Sequence, residues 1–209
     1  MEYEIEKFCL GICKILNRKA EWICANIEIF SEKLRNIIAR KNICEEKATK
    51  KYKFIEYTLW DEKKDFCVII GYNPAEADPN IFDKTNEKLI NNNFFDNFGG
   101  VVLLNLYPQV SKTKAEFEDN DEIDNKYQEK FVKILNYIAK KQKKIVIFWG
   151  RTVSIEKTIK DKLAEFPSVN LYKTVKRGDD KNSHYHPARV EIDIKPLTIN
   201  DFSGSYYLQ

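Results

Sequence analysis

The sequence predicts a three-layer α/β/α fold around a central, mostly parallel sheet, preceded by an N-terminal helical hairpin. Three observations lead there. The apolar runs at residues 66–70, 101–104 and 145–149 are short, rich in β-branched residues and closed by glycine or a polar residue, the pattern of strands buried on both faces. Segments of helical periodicity alternate with these runs, which implies right-handed crossovers and parallel pairing. Ahead of them, residues 3–16 and 20–41 each repeat apolar side chains at helical spacing.

The elements follow in order. Ile5, Phe8, Cys9, Ile12 and Leu16 make one apolar stripe, and Trp22, Ile23, Ile27, Phe30, Leu34, Ile37 and Ile38 make the next. Residues 47–53 read as a basic, polar connector, and residues 52–60 as a strand at a sheet edge. A strand over 66–71 leads through Pro74 to a helix over about 83–92 with Asp83 as its N-cap. Gly99 and Gly100 then open a strand over 101–106. Residues 109–124 lack periodicity and form a long loop, a kind of segment that is usually functional or mobile. A helix over about 123–141, a strand over 144–150, a helix over about 153–166 and a short strand over 170–174 complete the alternation. The expected division is a helical extension over 1–50 and an α/β domain over 51–209.

A chain of 209 residues with 43% hydrophobic and 32% charged residues can bury a sizeable core, and seven glycines with six prolines leave little room for disordered linkers. No apolar run approaches the roughly 20 residues that cross a bilayer. The acidic start, Met1-Glu2-Tyr3-Glu4, has no apolar signal region, so a cytoplasmic protein without a membrane partner is expected. A net charge of +3 gives no general footprint for a polyanion, which must be met by local patches. Cys9, Cys13, Cys24, Cys44 and Cys67 make an odd count with no C-x-x-C pair, which disfavours both disulfides and a four-cysteine metal site. No metal and no cofactor is expected.

Residues that follow parallel strands are where α/β proteins place their ligands. Gly71-Tyr72-Asn73-Pro74 closes the first apolar run, and its proline turns the chain so that Asn73 stands over the sheet. Asn105 interrupts the second run, where a buried amide offers the donor and acceptor that reading a base edge requires. The chain's two histidines, His184 and His186, share a three-residue stretch before Pro187. Glu76 and Asp78 follow the Pro74 turn and could orient water, Asp78 as an accessory acid. Trp149 and Gly150 end the third run, and Arg151 opens a helix whose N-terminus suits phosphate. Lys112, Lys114, Lys173, Lys176, Arg177 and Lys181 fall in loops on the same side, whereas the lysines at 140–144 fall at the opposite end.

The order of these motifs resembles the uracil-DNA glycosylase superfamily. The matching strings are GYNP, GGVVLLNLYP, IVIFWG and HYHPAR, spread over residues 52–195. The chain also resembles an uncharacterised bacterial domain family with an NPSTAD-type string, here NPAEAD. The first resemblance implies that Asn73 positions a hydrolytic water together with Pro74, that Asn105 bonds an extruded base, and that His186 donates to the departing base. Gly71, Tyr72, Ala75 and Glu76 would line the base pocket, while Lys112, Lys114, Arg151, Lys176, Arg177, Pro187 and Arg189 would meet the nucleic acid. The implied reaction is hydrolysis of an N-glycosidic bond in DNA, single-stranded or modified, after base flipping. Two departures bear on this. Asn73 stands where the most active members carry aspartate, and an amide cannot take a proton from water. Ala75 stands where the uracil-specific branch carries tyrosine, which implies a wider pocket and a modified or damaged base. A hydrolase of free nucleosides or nucleotides and a non-catalytic nucleotide- or nucleic-acid-binding module on the same frame are the alternatives.

Overall fold

The computed structural model describes residues 1–27, 37–81, 85, 87, 88, 91–111, 121–148, 157–165, 170–178 and 191–197. The chain begins with helix α1 (Glu2–Leu16), whose buried stripe of Ile5, Phe8, Cys9, Ile12, Cys13 and Leu16 faces the core. Asn17, in the left-handed conformation at φ 56°, ends it, and its amide returns to the Cys13 and Lys14 carbonyls.

Among the described residues no second helix packs against α1 as the expected hairpin requires, although Ile27 is helical. Strand β1 (Ile23–Cys24) follows, and β2 (Ala39–Lys47) takes the last residues assigned to that helix. Residues 28–36 lie outside the description. The physical reason is the period-two pattern within β2: Arg40 and Asn42 face one side, Lys41 and Ile43 the other. Ladder pairing with β3 (Lys50–Leu59), from Ala39 opposite Leu59 to Lys47 opposite Lys50, outweighs helical spacing. The expected basic connector over 47–53 is therefore a tight turn, with Ala48 at φ 55°, and the start of β3.

Strand β4 (Phe66–Gly71) comes next, then a short 3-10 helix (Asn93–Asn97) capped by the Asn92 side chain, and β5 (Gly100–Asn105). The helix expected over 83–92 falls largely outside the described residues. Helix α2 (Glu122–Lys140) is capped by Asp121, whose carboxylate accepts from the Ile123 and Asp124 amides. Strand β6 (Ile145–Ile147), helix α3 (Lys157–Ala164), strand β7 (Leu171–Lys176) and strand β8 (Ile192–Pro196) close the order.

All eight strands form one sheet in the order β1-β2-β3-β5-β4-β6-β7-β8. Only the four central strands β5, β4, β6 and β7 run parallel; β1, β2 and β3 on one side and β8 on the other pair antiparallel. The sheet is thus mixed rather than mostly parallel, and β3 lies inside it rather than at its edge. The difference lies in the strands flanking the alternating middle: β3 joins β5 antiparallel, β2 and β1 add to it antiparallel, and β8 joins β7 antiparallel.

The two faces of the sheet carry separate cores. One packs α1, α2 and α3 through Phe8, Ile12, Phe131, Leu135, Ile159 and Leu163 onto Val68, Ile70, Val102, Leu104 and Ile147. The other gathers Cys67, Ile69, Val101, Leu103, Val146 and Phe148 beneath Phe94, Phe95 and Phe98. No described helix is long and apolar enough to cross a membrane.

Candidate functional site

Parallel pairing brings the two sequence motifs together. Gly71 and Asn105 are register partners at the ends of β4 and β5, on the face that also carries Leu103 and Ile69. A Cβ on Gly71 would lie 2.6 Å from Asn105 Oδ1 and 3.0 Å from the Phe148 ring. The missing side chain is what lets the Asn105 amide lie across the strand ends. Asn105 is 4% exposed, and no hydrogen bond involves its side chain among the described residues.

The turn after β4 is clipped to the chain after β5. Leu106 N donates to Gly71 O (3.0 Å), Tyr107 N to Tyr72 O (2.9 Å) and Ser111 N to Pro74 O (3.0 Å). Asn73 Nδ2 donates to Ser111 Oγ (2.8 Å), Ser111 O (3.0 Å) and Pro74 O (3.2 Å). The amide nitrogen is thereby committed to the turn, and the Pro74 carbonyl accepts twice. Asn73 Oδ1 has no donor among the described residues and remains an acceptor for water or ligand.

The other expected residues divide. Tyr72 packs edge-on against Tyr107 (5.0 Å between centroids) on the helix-covered face, away from the Asn105 side. Ala75 is exposed. Glu76 accepts from the Ala77 and Asp78 amides, and Asp78 from Asn80 N and Nδ2, so both carboxylates shape the turn. Lys176 is exposed at the end of β7. Arg177 bonds Asp193 (3.2 Å) and pairs with Glu191. His186, with His184, Pro187, Arg189, Lys112, Lys114, Arg151, Trp149, Gly150 and Lys181, lies outside the described residues.

A cleft of about 500 Å³ opens beside Arg177, lined among others by Glu87, Lys88, Asn92, Glu191 and Asp193. It belongs to the β7 and β8 end of the sheet, three strands from β5, and its acids already engage Arg177 and Lys88. Among the described residues its lining carries three carboxylates, Glu87, Glu191 and Asp193, to two cations, Lys88 and Arg177.

Sequence reasoning missed a buried charged group on the Asn105 face. Arg40 (1% exposed), Asn42 (0%), Lys53 (4%) and Glu56 (2%) are enclosed there. Arg40 donates from Nε and Nη2 to Glu56 Oε1 (3.0 and 2.7 Å) and from Nη1 to the Pro79 and Ile81 carbonyls. Lys53 Nζ donates to Glu56 Oε2 (2.5 Å), and Asn42 Nδ2 to Ala77 O (2.5 Å). The loop after Pro74 is pinned over β2 and β3 by these contacts. Burial alone would raise the Glu56 carboxyl, but the Lys53 and Arg40 charges bring it down to about 2. The signal was present: Lys53 and Glu56 stand in the otherwise apolar, aromatic string YKFIEYTLW, where charge is costly unless paired.

Behind the Asn73 clip, Asp124 is 2% exposed and accepts from Gln109 N (3.1 Å) and Nε2 (3.2 Å). Burial, outweighing those bonds, pushes its carboxyl up to about 6. Among the cysteines, Cys9, Cys13 and Cys67 are buried and Cys24 is exposed, and no group of three metal-ligating side chains occurs among the described residues.

A family model described as a protein of unknown function, DUF1643, matches residues 56–188. That span takes in Gly71, Asn73, Asn105, Ser111 and Asp124 and stops short of Arg40 and Lys53. No curated protein and no solved structure matches the chain. Covering more than half of the 209 residues, the match shows that the chain belongs to the DUF1643 family.

Proposed function

We propose that this protein is a glycosylase-like hydrolase that cleaves the N-glycosidic bond of a flipped-out, modified or damaged base, on a three-layer α/β/α frame akin to the uracil-DNA glycosylase superfamily. One observation carries the reading: the Asn73 turn and Asn105, separated by 32 positions (105 − 73), meet at the ends of adjacent parallel strands, with Asn105 buried and unpartnered among the described residues. Helices on one face and the Phe94–Phe98 segment on the other support the layered frame.

In this reading Asn105 receives the base edge and Asn73 Oδ1 holds the attacking water. The bond between the sugar's anomeric carbon and the base nitrogen breaks with its electron pair leaving on the base. Water supplies hydroxide to the sugar, and its proton ends on the base. Asn73 orients without accepting that proton, so turnover is expected to be slow. His186 keeps the role of donor to the base that the motif order suggests. The activity would belong to base excision in DNA repair.

A free nucleoside or nucleotide is the second reading, favoured by the engagement of Arg177 with Asp193 and Glu191, which weakens one arm of the expected phosphate track. Incubating the protein with duplex and single-stranded DNA carrying a panel of modified bases, then scoring alkali-labile abasic sites, tests the first reading. Strand cleavage after alkali that is lost in Asn73→Ala supports it. A clean negative across the panel, with release of free base from nucleosides, moves the assignment to the second.

A further inference from the structure

We propose that Asn42 and Arg40 are positioning residues of this site: from alternate positions of β2, each fixes one peptide plane of the turn after Pro74, and through it the carboxylate of Glu76 or Asp78. The inference rests on the glycosidase reading and adds to it two residues that lie outside the family span of 56–188. A peptide unit is planar and rigid, so its carbonyl and its amide turn together. Asn42 Nδ2 donates to Ala77 O (2.5 Å), and the amide of that same unit, Asp78 N, donates to Glu76 Oε1 (3.1 Å). Ala77 N reaches the same carboxylate oxygen (2.8 Å). One bond from β2 therefore sets the plane on which the Glu76 carboxylate rests. Two residues on, the pattern repeats. Arg40 Nη1 donates to Pro79 O (2.7 Å), and the amide of that unit, Asn80 N, donates to Asp78 Oδ1 (2.8 Å).

Covering the sheet does not explain these two side chains. Both are buried, on a surface that apolar residues would cover with less desolvation. Asn42 Oδ1 is buried without a hydrogen-bond partner among the described residues, so the amide serves there through its donor end. An apolar residue of the same shape would remove that orphaned oxygen along with the Ala77 bond, an exchange close to neutral for the fold. Cys44 Sγ, 3.6 Å from Ala77 O, would still face that carbonyl. What would be lost is the orientation of the plane. The other end of the turn is held separately, by Ser111 on Asn73 and Pro74. The two attachments bracket Ala75 and Glu76, which line the base pocket in this reading.

Asn42→Leu, Glu76→Ala and the double variant of the full chain test this, with the panel duplex or nucleoside that the wild type cleaves fastest as substrate. Asn42→Leu should raise KM about tenfold and keep kcat within about twofold. The double variant should match Glu76→Ala alone, since both changes act on one carboxylate. Amide hydrogen exchange, read by mass spectrometry, should quicken at least about tenfold across 76–81, as loss of one hydrogen bond allows, while 66–71 and 101–105 keep their rates. A merely structural role would quicken exchange across the sheet and leave the KM effects independent. Should Asn42→Leu not fold, Arg40→Lys decides the question: it keeps a cation beside Glu56 without the fork that reaches the carbonyls, and exchange across 78–81 should quicken as much. Unchanged exchange in the turn, or KM effects that multiply, overturns the proposal and leaves the glycosidase reading intact wherever cleavage is seen. Absence of cleavage on every duplex and nucleoside overturns the glycosidase reading and the positioning role with it.

Discussion

A Cβ on Gly71 would lie 2.6 Å from Asn105 Oδ1, so these two register partners occupy one another's space at the ends of β4 and β5. Gly71→Ala is therefore expected to displace the Asn105 amide and to destabilise the fold by about 1–3 kcal/mol. Asn105→Ala in the same chain removes one of the two clashing groups, leaving Phe148. The double variant should be less destabilised than the sum of the singles by more than about 0.5 kcal/mol. Urea unfolding of all four proteins checks this, and strict additivity would place the clash elsewhere.

Asn73 is predicted to be needed as a donor. Its nitrogen faces three oxygens, Pro74 O, Ser111 O and Ser111 Oγ, whereas a carboxylate only accepts. Asn73→Asp should lose about 1–3 kcal/mol and should lower stability more than Asn73→Ala, which removes the bonds without adding charge beside carbonyls. Unfolding midpoints above pH 6 decide it. An aspartate variant as stable as the wild type would show that the clip is not held by this amide.

Asp124 sets a pH dependence of definite sign. Its carboxyl is raised from 3.8 to about 6 in the fold, so the native state holds a proton that the unfolded chain releases. Stability is therefore highest below pH 4 on this account and falls as pH rises through 4 to 6, by about 3 kcal/mol at most. Glu56, lowered to about 2, acts oppositely and only below about pH 4.5, which leaves the interval from 4.5 to 6 to Asp124. Asp124→Asn should flatten the stability curve there, as read by urea unfolding at half-unit steps. An unchanged slope would remove Asp124 from that role.

The two buried cations should behave differently when removed. Arg40→Met deprives Glu56 of two bonds and frees the Pro79–Ile81 loop, and is expected to cost about 3–5 kcal/mol. Lys53→Met leaves the Arg40–Glu56 pair whole and removes a single bond, so it is expected to cost about 1–3 kcal/mol, less than Arg40→Met. Thermal unfolding of both variants distinguishes the two roles. A Lys53 variant as damaged as the Arg40 variant would make the lysine structural.

Local sequence determined the central strands, because β4 and β5 are buried on both faces and their apolar runs end in residues, Gly71 and Asn105, that no core position favours. The same logic fixed α1, α2 and the convergence of the Asn73 turn with Asn105, since parallel neighbours place their ends on one rim. Tertiary structure decided the rest. Whether residues 39–41 coil or extend depended on β3, a partner that periodicity cannot name, and the polarity of β8 depended on lying beside β7. Lys53 and Glu56 stand as costly charges in an apolar string, and only pairing with Arg40, brought from β2 by the ladder, made them one buried ion group. Composition can mark a charge as costly, but the balance of such charges is a property of neighbours in space.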